Sequence, residues 1–312
     1  MGLDKSDKIP LSRALLWIFL STLMVSGLAW LSWLYYLQLN ETRIVDDQYQ
    51  IVAIVQSSSH HENLKTVYLA ELLNLAVDKP QNLFNFDLNR AHKRLMASPL
   101  IKNATIKKIR PGTIFVEYSM RMPYAFLGDY TNTAVDWDGY LFPFTPFFTP
   151  KKLPIIYLGL EGMDKKWGQS IYEDEGFQLA LNVIEGINEL FAYEPILLKQ
   201  IDVSQAFADS YGQKQIVIII EDVFDQVKNG RTEPITKTYL LRLNTEKYMQ
   251  NLANYLMLRG YISNKLKEVD ALAENVSVDM EVKNGVGEIV KPKKPSIIDL
   301  RISHLAFLKD ES

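Results

Sequence analysis

The sequence predicts an α+β protein held behind a single N-terminal transmembrane helix, on three observations. No charged residue occurs from Ala14 to Leu39. Between about residues 50 and 120 the apolar spacing reads in the order strand, helix, helix, strand, strand. From Phe177 onward the spacing gives helix, strand, strand, helix and a terminal strand, a second α+β domain with a mainly antiparallel sheet.

The uncharged run exceeds the roughly 20 residues a helix needs to cross a bilayer. Trp17, Trp30, Trp33, Tyr35 and Tyr36 suit interfacial belts. A cleaved signal peptide would have a shorter apolar region, about 7–15 residues, ending in a small-x-small site, and neither feature is evident. Lys5, Lys8 and Arg13 precede the run, whereas Arg43 alone follows it closely. The positive-inside rule therefore puts residues 1–13 in the cytoplasm and everything after the 14–39 span outside.

In the next segment, Ile51 to Val55 reads as a strand and Val67 to Ala76 as a helix. Asp87 is an N-cap for a helix with Leu88, Ala91, Leu95 and Met96 on one face, and Ser98-Pro99 ends it. Ile101, Ala104, Ile106 and Ile109 suit a half-buried strand, Arg110-Pro111-Gly112-Thr113 a tight turn, and Ile114, Val116 and Tyr118 the returning strand.

That order, β-α-α-β-β, is the order of a POTRA domain, and the residues make the resemblance specific. Asn82-Leu83-Phe84, Arg90-Ala91-x-x-x-Leu95, Pro99-Leu100-Ile101-x-x-Ala104-x-Ile106, Arg110-Pro111-Gly112-Thr113-Ile114 and Arg121-x-Pro123-Tyr124-Ala125 resemble the FtsQ/DivIB family of bacterial cell-division proteins. Val135-Asp136-x-x-Gly139-x-Leu141-Phe142 is similar to that family's next hairpin. The resemblance implies a POTRA domain over 48–120, an FtsQ-type β domain over 121–302 and a tail over 303–312.

Residues 142–150, Phe-Pro-Phe-Thr-Pro-Phe-Phe-Thr-Pro, suit neither a regular helix nor a central strand. A joint whose rings pack against the start of the second domain is favoured over an aromatic binding surface. Beyond it, Phe177 to Phe191 has helical spacing, Ile196 to Ile201 is extended, and Gln215 to Glu221 and Tyr239 to Leu243 are buried strands. Glu246 to Leu258 is an amphipathic helix with Leu252, Tyr255 and Leu256 inward. The polar stretch from Asp225 to Lys237, with Gly230 and Pro234, reads as a long loop.

The last strand, Ser296 to Ile302, carries Asp299-Leu300-Arg301 after apolar residues, as the family's last strand does. The resemblance implies that this edge receives a strand from small single-span coiled-coil proteins of the FtsB/FtsL type. Carried over by position, the partner-binding residues are Asp299, Leu300, Arg301, Ile302, Ser303 and His304. Val276 to Val282 also alternates and is a rival edge, separated from the first by the spacer Lys291-Pro292-Lys293-Lys294-Pro295. An open edge has unpaired backbone groups that a partner strand can satisfy.

No enzymatic pattern competes strongly. His60-His61-Glu62 suggests a metal, but adjacent histidines point to different faces, which favours a solvated loop. His92 falls on the polar side of its helix. Asp136 and Asp138 bracket Trp137 before Gly139, which is the usual composition of a turn. Gly285-Val286-Gly287 lacks the strand and helix of a phosphate cradle.

With 312 residues, 47% of them hydrophobic, a net charge of -3 and no cysteine, the composition excludes a basic nucleic-acid footprint, disulfides and thiolate chemistry. The expected function is a non-enzymatic division scaffold that couples septum assembly to peptidoglycan synthesis, without cofactor or metal. A POTRA-containing secretion adaptor is a second reading, and an anchored cell-wall enzyme using Asp136 and Asp138 a third.

Overall fold

The computed structural model describes residues 11–59, 62–76, 78–160, 166–228, 231–276, 295–302 and 306–309. His60, His61, Ser303, His304, residues 277–282 and the Gly285–Gly287 turn lie outside them. The chain divides into two units, Met1–Met120 and Arg121–Ser312.

The first unit begins with helix α1, Leu11–Val45, which is long and apolar enough to cross a membrane. Its described side chains are exposed on every side up to Leu37, as contact with lipid requires. The Ser21, Thr22 and Ser26 hydroxyls donate to carbonyls one turn back, so these polar groups are satisfied inside the helix.

After a short 3-10 turn, Asp47–Tyr49, come β1 (Ala53–Ser58), α2 (Thr66–Leu73), α3 (Leu88–Met96), β2 (Ile101–Ile109) and β3 (Thr113–Met120). The sheet order is β1-β3-β2, with β1 parallel and β2 antiparallel to β3. Leu69, Leu73, Ala91 and Leu95 from the helices pack in a core with Ile114 and Val116. The predicted order is present, and Asp87 caps α3 by accepting from Arg90 N at 3.0 Å. Helix α2 stops at Leu73 instead of Ala76, because Asn74 takes the left-handed conformation (φ 57°) and donates its N–H to Glu71 O. Gly112 is required at the β2–β3 turn: a Cβ there would strike the Gln50 carbonyl, and the Gly112 oxygen accepts from Val52 N at 2.9 Å.

In the second unit, β4 (Ala125–Leu127), β5 (Thr133–Val135), β6 (Leu141–Pro143) and β7 (Ile155–Tyr157) precede α4 (Glu175–Leu190). Then follow β8 (Ile196–Asp202), β9 (Ile216–Lys228), β10 (Arg231–Leu243), α5 (Tyr248–Val276), β11 (Ser296–Asp299) and β12 (Phe307–Lys309). One mixed sheet holds all nine strands in the order β12-β11-β10-β9-β8-β7-β4-β5-β6. Helices α4 and α5 pack on each other and on β8, β9 and β10. Phe177, Ile184, Ile218, Leu241 and Tyr255 lie in the shared core.

Three expectations change. Residues 225–228 and 231–237 form no loop. They extend β9 and β10 into a two-stranded ribbon in register from Arg231–Lys228 to Leu243–Ile216. Polar composition suits the ribbon because β8 pairs with β9 only up to Asp222 and β11 meets β10 only from Tyr239, so the remainder has no further sheet neighbours among the described residues. Pro234 is tolerated for the same reason, since an edge position does not need its missing N–H. Second, α5 runs on to Val276, so this residue closes a helix, while residues 277–282 of the rival edge lie outside the described residues.

Third, the aromatic-proline stretch belongs to the body of the second unit. Leu141–Pro143 is the edge strand β6, and Phe142, Phe144 and Phe148 are buried, with Phe144 stacked on Phe148 at 5.5 Å and edge-on to Phe126 at 4.9 Å. Burial of these three rings removes them from any binding surface.

Candidate functional site

The C-terminal edge is built by a β-α-β connection. Strand β10 leads into α5, and α5 returns the chain to β11, which pairs parallel to β10 from Tyr239–Ser296 to Arg242–Asp299. Period-two alternation then sends Ile298 and Leu300 into the core, where they are 0% and 2% exposed. Asp299 and Arg301 fall on the opposite side. The Leu300 N–H donates to Arg242 O at 2.9 Å and extends the pairing one residue past the strand.

Asp299 and Arg301 are each other's main partners. Arg301 Nη2 donates to Asp299 Oδ2 at 2.7 Å and Nε to Oδ1 at 3.0 Å, while Nη1 reaches the Gly212 carbonyl at 3.1 Å. Arg242 Nη1 stands 4.0 Å from the same carboxylate. Burial alone would raise the Asp299 carboxyl. The hydrogen bonds and charge of Arg301, with the charge of Arg242, outweigh it and hold the group below the ordinary aspartate value of 3.8.

A carboxyl lowered in the folded state stabilises the fold above its unfolded value and loses that contribution as pH falls through the folded one. Exchange protection of the Ile297–Asp299 amides, corrected for intrinsic rate, is therefore expected to drop relative to β9 as pH falls below the ordinary aspartate value. Asp299→Asn should remove the pH dependence. An unchanged ratio in the wild type would show that the pair does not hold this edge.

Strand β12 lies antiparallel on β11, Ile297 opposite Lys309 and Asp299 opposite Phe307. The terminal tail expected after residue 302 thus contains the last strand of the sheet. Among the described residues no strand pairs with the outer side of β12. Beside it a cleft of about 610 Å³ is lined by Tyr211, Lys214, Lys247, Asp299, Arg301 and Phe307, among others. Tyr211, Ile302 and Phe307 are 84%, 55% and 57% exposed.

Of the six residues placed here by resemblance, Leu300 is a core residue, Asp299 and Arg301 form one wall of the cleft, and Ile302 is exposed at its rim. Ser303 and His304 are outside the described residues. Tyr211 and Lys214, Lys247, and Phe307 come from three separate segments, so no local motif announces them. Phe307 alone carried a signal, the apolar run Leu305-Ala306-Phe307-Leu308.

The other candidate chemistry resolves into structure. Both Asp136 oxygens are engaged, Oδ2 by Arg121 Nη1 at 2.8 Å and Oδ1 by Tyr140 N at 2.8 Å. Gly139, at φ 76°, closes the turn against Tyr172, whose backbone N would lie 2.6 Å from a Cβ. The Asp138 carbonyl accepts from Ser170 Oγ at 2.8 Å. His92 is exposed on α3, and among the described residues no group of three His, Asp or Glu side chains is placed to hold a metal.

Comparison with protein families matches residues 59–117 to the POTRA domain, FtsQ-type. The matched residues run from α2 to near the end of β3 and do not enter the second unit. Comparison with curated proteins returned no match.

Proposed function

An FtsQ-type POTRA domain at residues 59–117 supports assignment of the chain to the FtsQ/DivIB family of cell-division proteins, and on that premise we propose that it is a non-enzymatic, single-span division scaffold. In this reading α1 crosses the cytoplasmic membrane with residues 1–13 inside. The POTRA domain and the second unit lie outside, at the division site. There they bind other division proteins and couple septum assembly to peptidoglycan synthesis.

The observation that carries the mechanism is the outer side of β12, which no strand covers among the described residues, beside an amphipathic cleft. An extended segment of a small single-span coiled-coil partner would add as the next strand. Backbone hydrogen bonds would supply much of the affinity, and alternate side chains would enter the cleft for specificity. The engagement of both Asp136 oxygens argues for binding over carboxylate catalysis.

The structure also selects the variant for the test. A chain ending before β11 loses Ile298 and Leu300 from the core and would confound misfolding with lost binding. A chain ending at Ile302 keeps both and removes β12. Pull-down from detergent-solubilised membranes is expected to recover small single-span division proteins with the full chain, and at least about tenfold less with the chain ending at Ile302, a loss of about 1.4 kcal/mol or more. Equal recovery would sink the edge. Recovery of no division protein by either chain would sink the scaffold.

A further inference from the structure

The junction between α1 and the first unit's folded domain holds an arrangement that the scaffold reading does not use. Helix α1 continues past its apolar run to Val45, and its end is gripped by the 82–84 loop. Asn82 Nδ2 donates to the carbonyls of Arg43 at 2.9 Å and Asp46 at 3.2 Å, which supplies partners for two carbonyls at a helix end. Leu83 N donates to Tyr49 O at 2.8 Å. The span and the domain are thus joined by a hydrogen-bonded clasp.

On this clasp two arginines converge on one ring. The Arg43 and Arg110 guanidinium carbons lie 5.6 and 5.5 Å from the Phe84 centroid, and Tyr49 packs edge-on against the same ring at 4.9 Å. Neither arginine forms an ion pair among the described residues. Of the acids close in sequence to Arg43, Asp46 accepts from Gln48 N at 2.9 Å and Asp47 from Gln50 Nε2 at 2.6 Å. The two guanidiniums put two positive charges at one ring, and an anion beside them is attracted by both.

Depth identifies the anion. Arg43 is four residues beyond Leu39 and seven beyond Tyr36 of the aromatic belt, so about 6–10 Å along the helix axis separates it from the edge of the hydrocarbon. The headgroup layer outside the hydrocarbon is about 5–7 Å thick on each face. We propose that Arg43 and Arg110, stacked on Phe84, bind the phosphate of an anionic phospholipid headgroup and so set the first domain's orientation on the membrane. The site rests on α1 crossing the bilayer. Guanidinium groups match phosphate oxygens through paired N–H donors, and Phe84 holds both forks in place.

The test uses the full chain in nanodiscs of mixed phosphatidylglycerol and phosphatidylcholine, with retained lipid counted by native mass spectrometry. The wild type is expected to retain phosphatidylglycerol in preference to phosphatidylcholine. Arg110→Gln, in an exposed turn, should lower that retention about fivefold, and Arg43→Gln with Arg110→Gln should abolish the preference. No preference in the wild type, or an unchanged one in the double variant, overturns the site. Displacement of the lipid by millimolar inorganic phosphate would make it a general phosphate site and overturn the lipid assignment. Flotation of the same protein with vesicles separates the two readings: failure to float removes the span itself, whereas flotation without headgroup preference removes only the lipid site.

Discussion

Replacing Arg259 with alanine is expected to cost the second unit about 3–5 kcal/mol of stability, because it leaves a carboxylate stranded in the core. Asp222 on β9 is 0% exposed. Arg259 on α5 donates from Nε to both its oxygens, at 3.0 and 2.9 Å, and Tyr255 donates its hydroxyl to Oδ2 at 2.7 Å. The same guanidinium reaches Glu194, donates to the Val223 carbonyl at 3.0 Å and lies 5.1 Å from the Phe224 centroid. One side chain therefore ties α5 to β9 and to the end of the α4–β8 connection.

Burial raises the Asp222 carboxyl above its ordinary value even though Tyr255 and Arg259 pull against it. Burial, and then the negative charge of Asp222, push the Tyr255 phenol upward as well, which keeps it protonated as a donor. Without Arg259 the carboxyl rises further. Its folded form then binds protons more readily than its unfolded form, so stability of the variant is expected to rise as pH falls from neutral toward the carboxyl range. Pairing Arg259→Met with Asp222→Leu should cost less than Arg259→Ala alone, since no buried charge remains. Urea titration of the full chain, read by hydrogen exchange in β9 and β10, measures these differences. A single variant within about 1 kcal/mol of wild type would refute the account.

Asp136→Ala is expected to be nearly as damaging, about 3–5 kcal/mol, although Asp136 sits in a turn. Its carboxylate and the Arg121 guanidinium are 6% and 11% exposed and 2.8 Å apart. Arg121 also lies 3.6 Å from the Tyr140 ring centroid, with its Nε lacking a hydrogen-bond partner among the described residues. Asp136 Oδ1 and backbone oxygen take the N–H groups of Tyr140 and Gly139 at 2.8 and 3.0 Å, which defines the β5–β6 hairpin. Arg121→Ala should match Asp136→Ala in size, and Asp138→Ala should stay within about 1 kcal/mol. A catalytic pair would behave the other way, with the fold intact and an activity lost. Thermal unfolding of the three variants distinguishes the cases, and equal small effects at all three positions would remove the structural role assigned to Asp136.

The first domain was legible because its determinants are local. Asp87 with Arg90 N and Ser98-Pro99 each act within a few residues, and the alternation of β3 follows from one buried face. The end of α2 was misread by three residues because Ala76 continues the apolar pattern while Asn74 already leaves the helix. The ribbon at 225–228 and 231–237 was misread because polar residues and a proline signal a loop unless a neighbouring strand faces them. That neighbour was visible only in the folded register.

The sequence by itself determined a long apolar N-terminal helix, the α+β class and the POTRA order, since each is written in periodicity or caps. Tertiary structure alone decided that β12 covers β11, that Leu300 is core and that Asp136 and Asp222 are structural acids. It also gathered Tyr211, Lys247 and Phe307 at one cleft and Arg43 and Arg110 on one ring. The physical reason is that burial and pairing depend on which distant segments meet, and a pattern with a period of two or 3.6 residues carries no information about the partner across the gap.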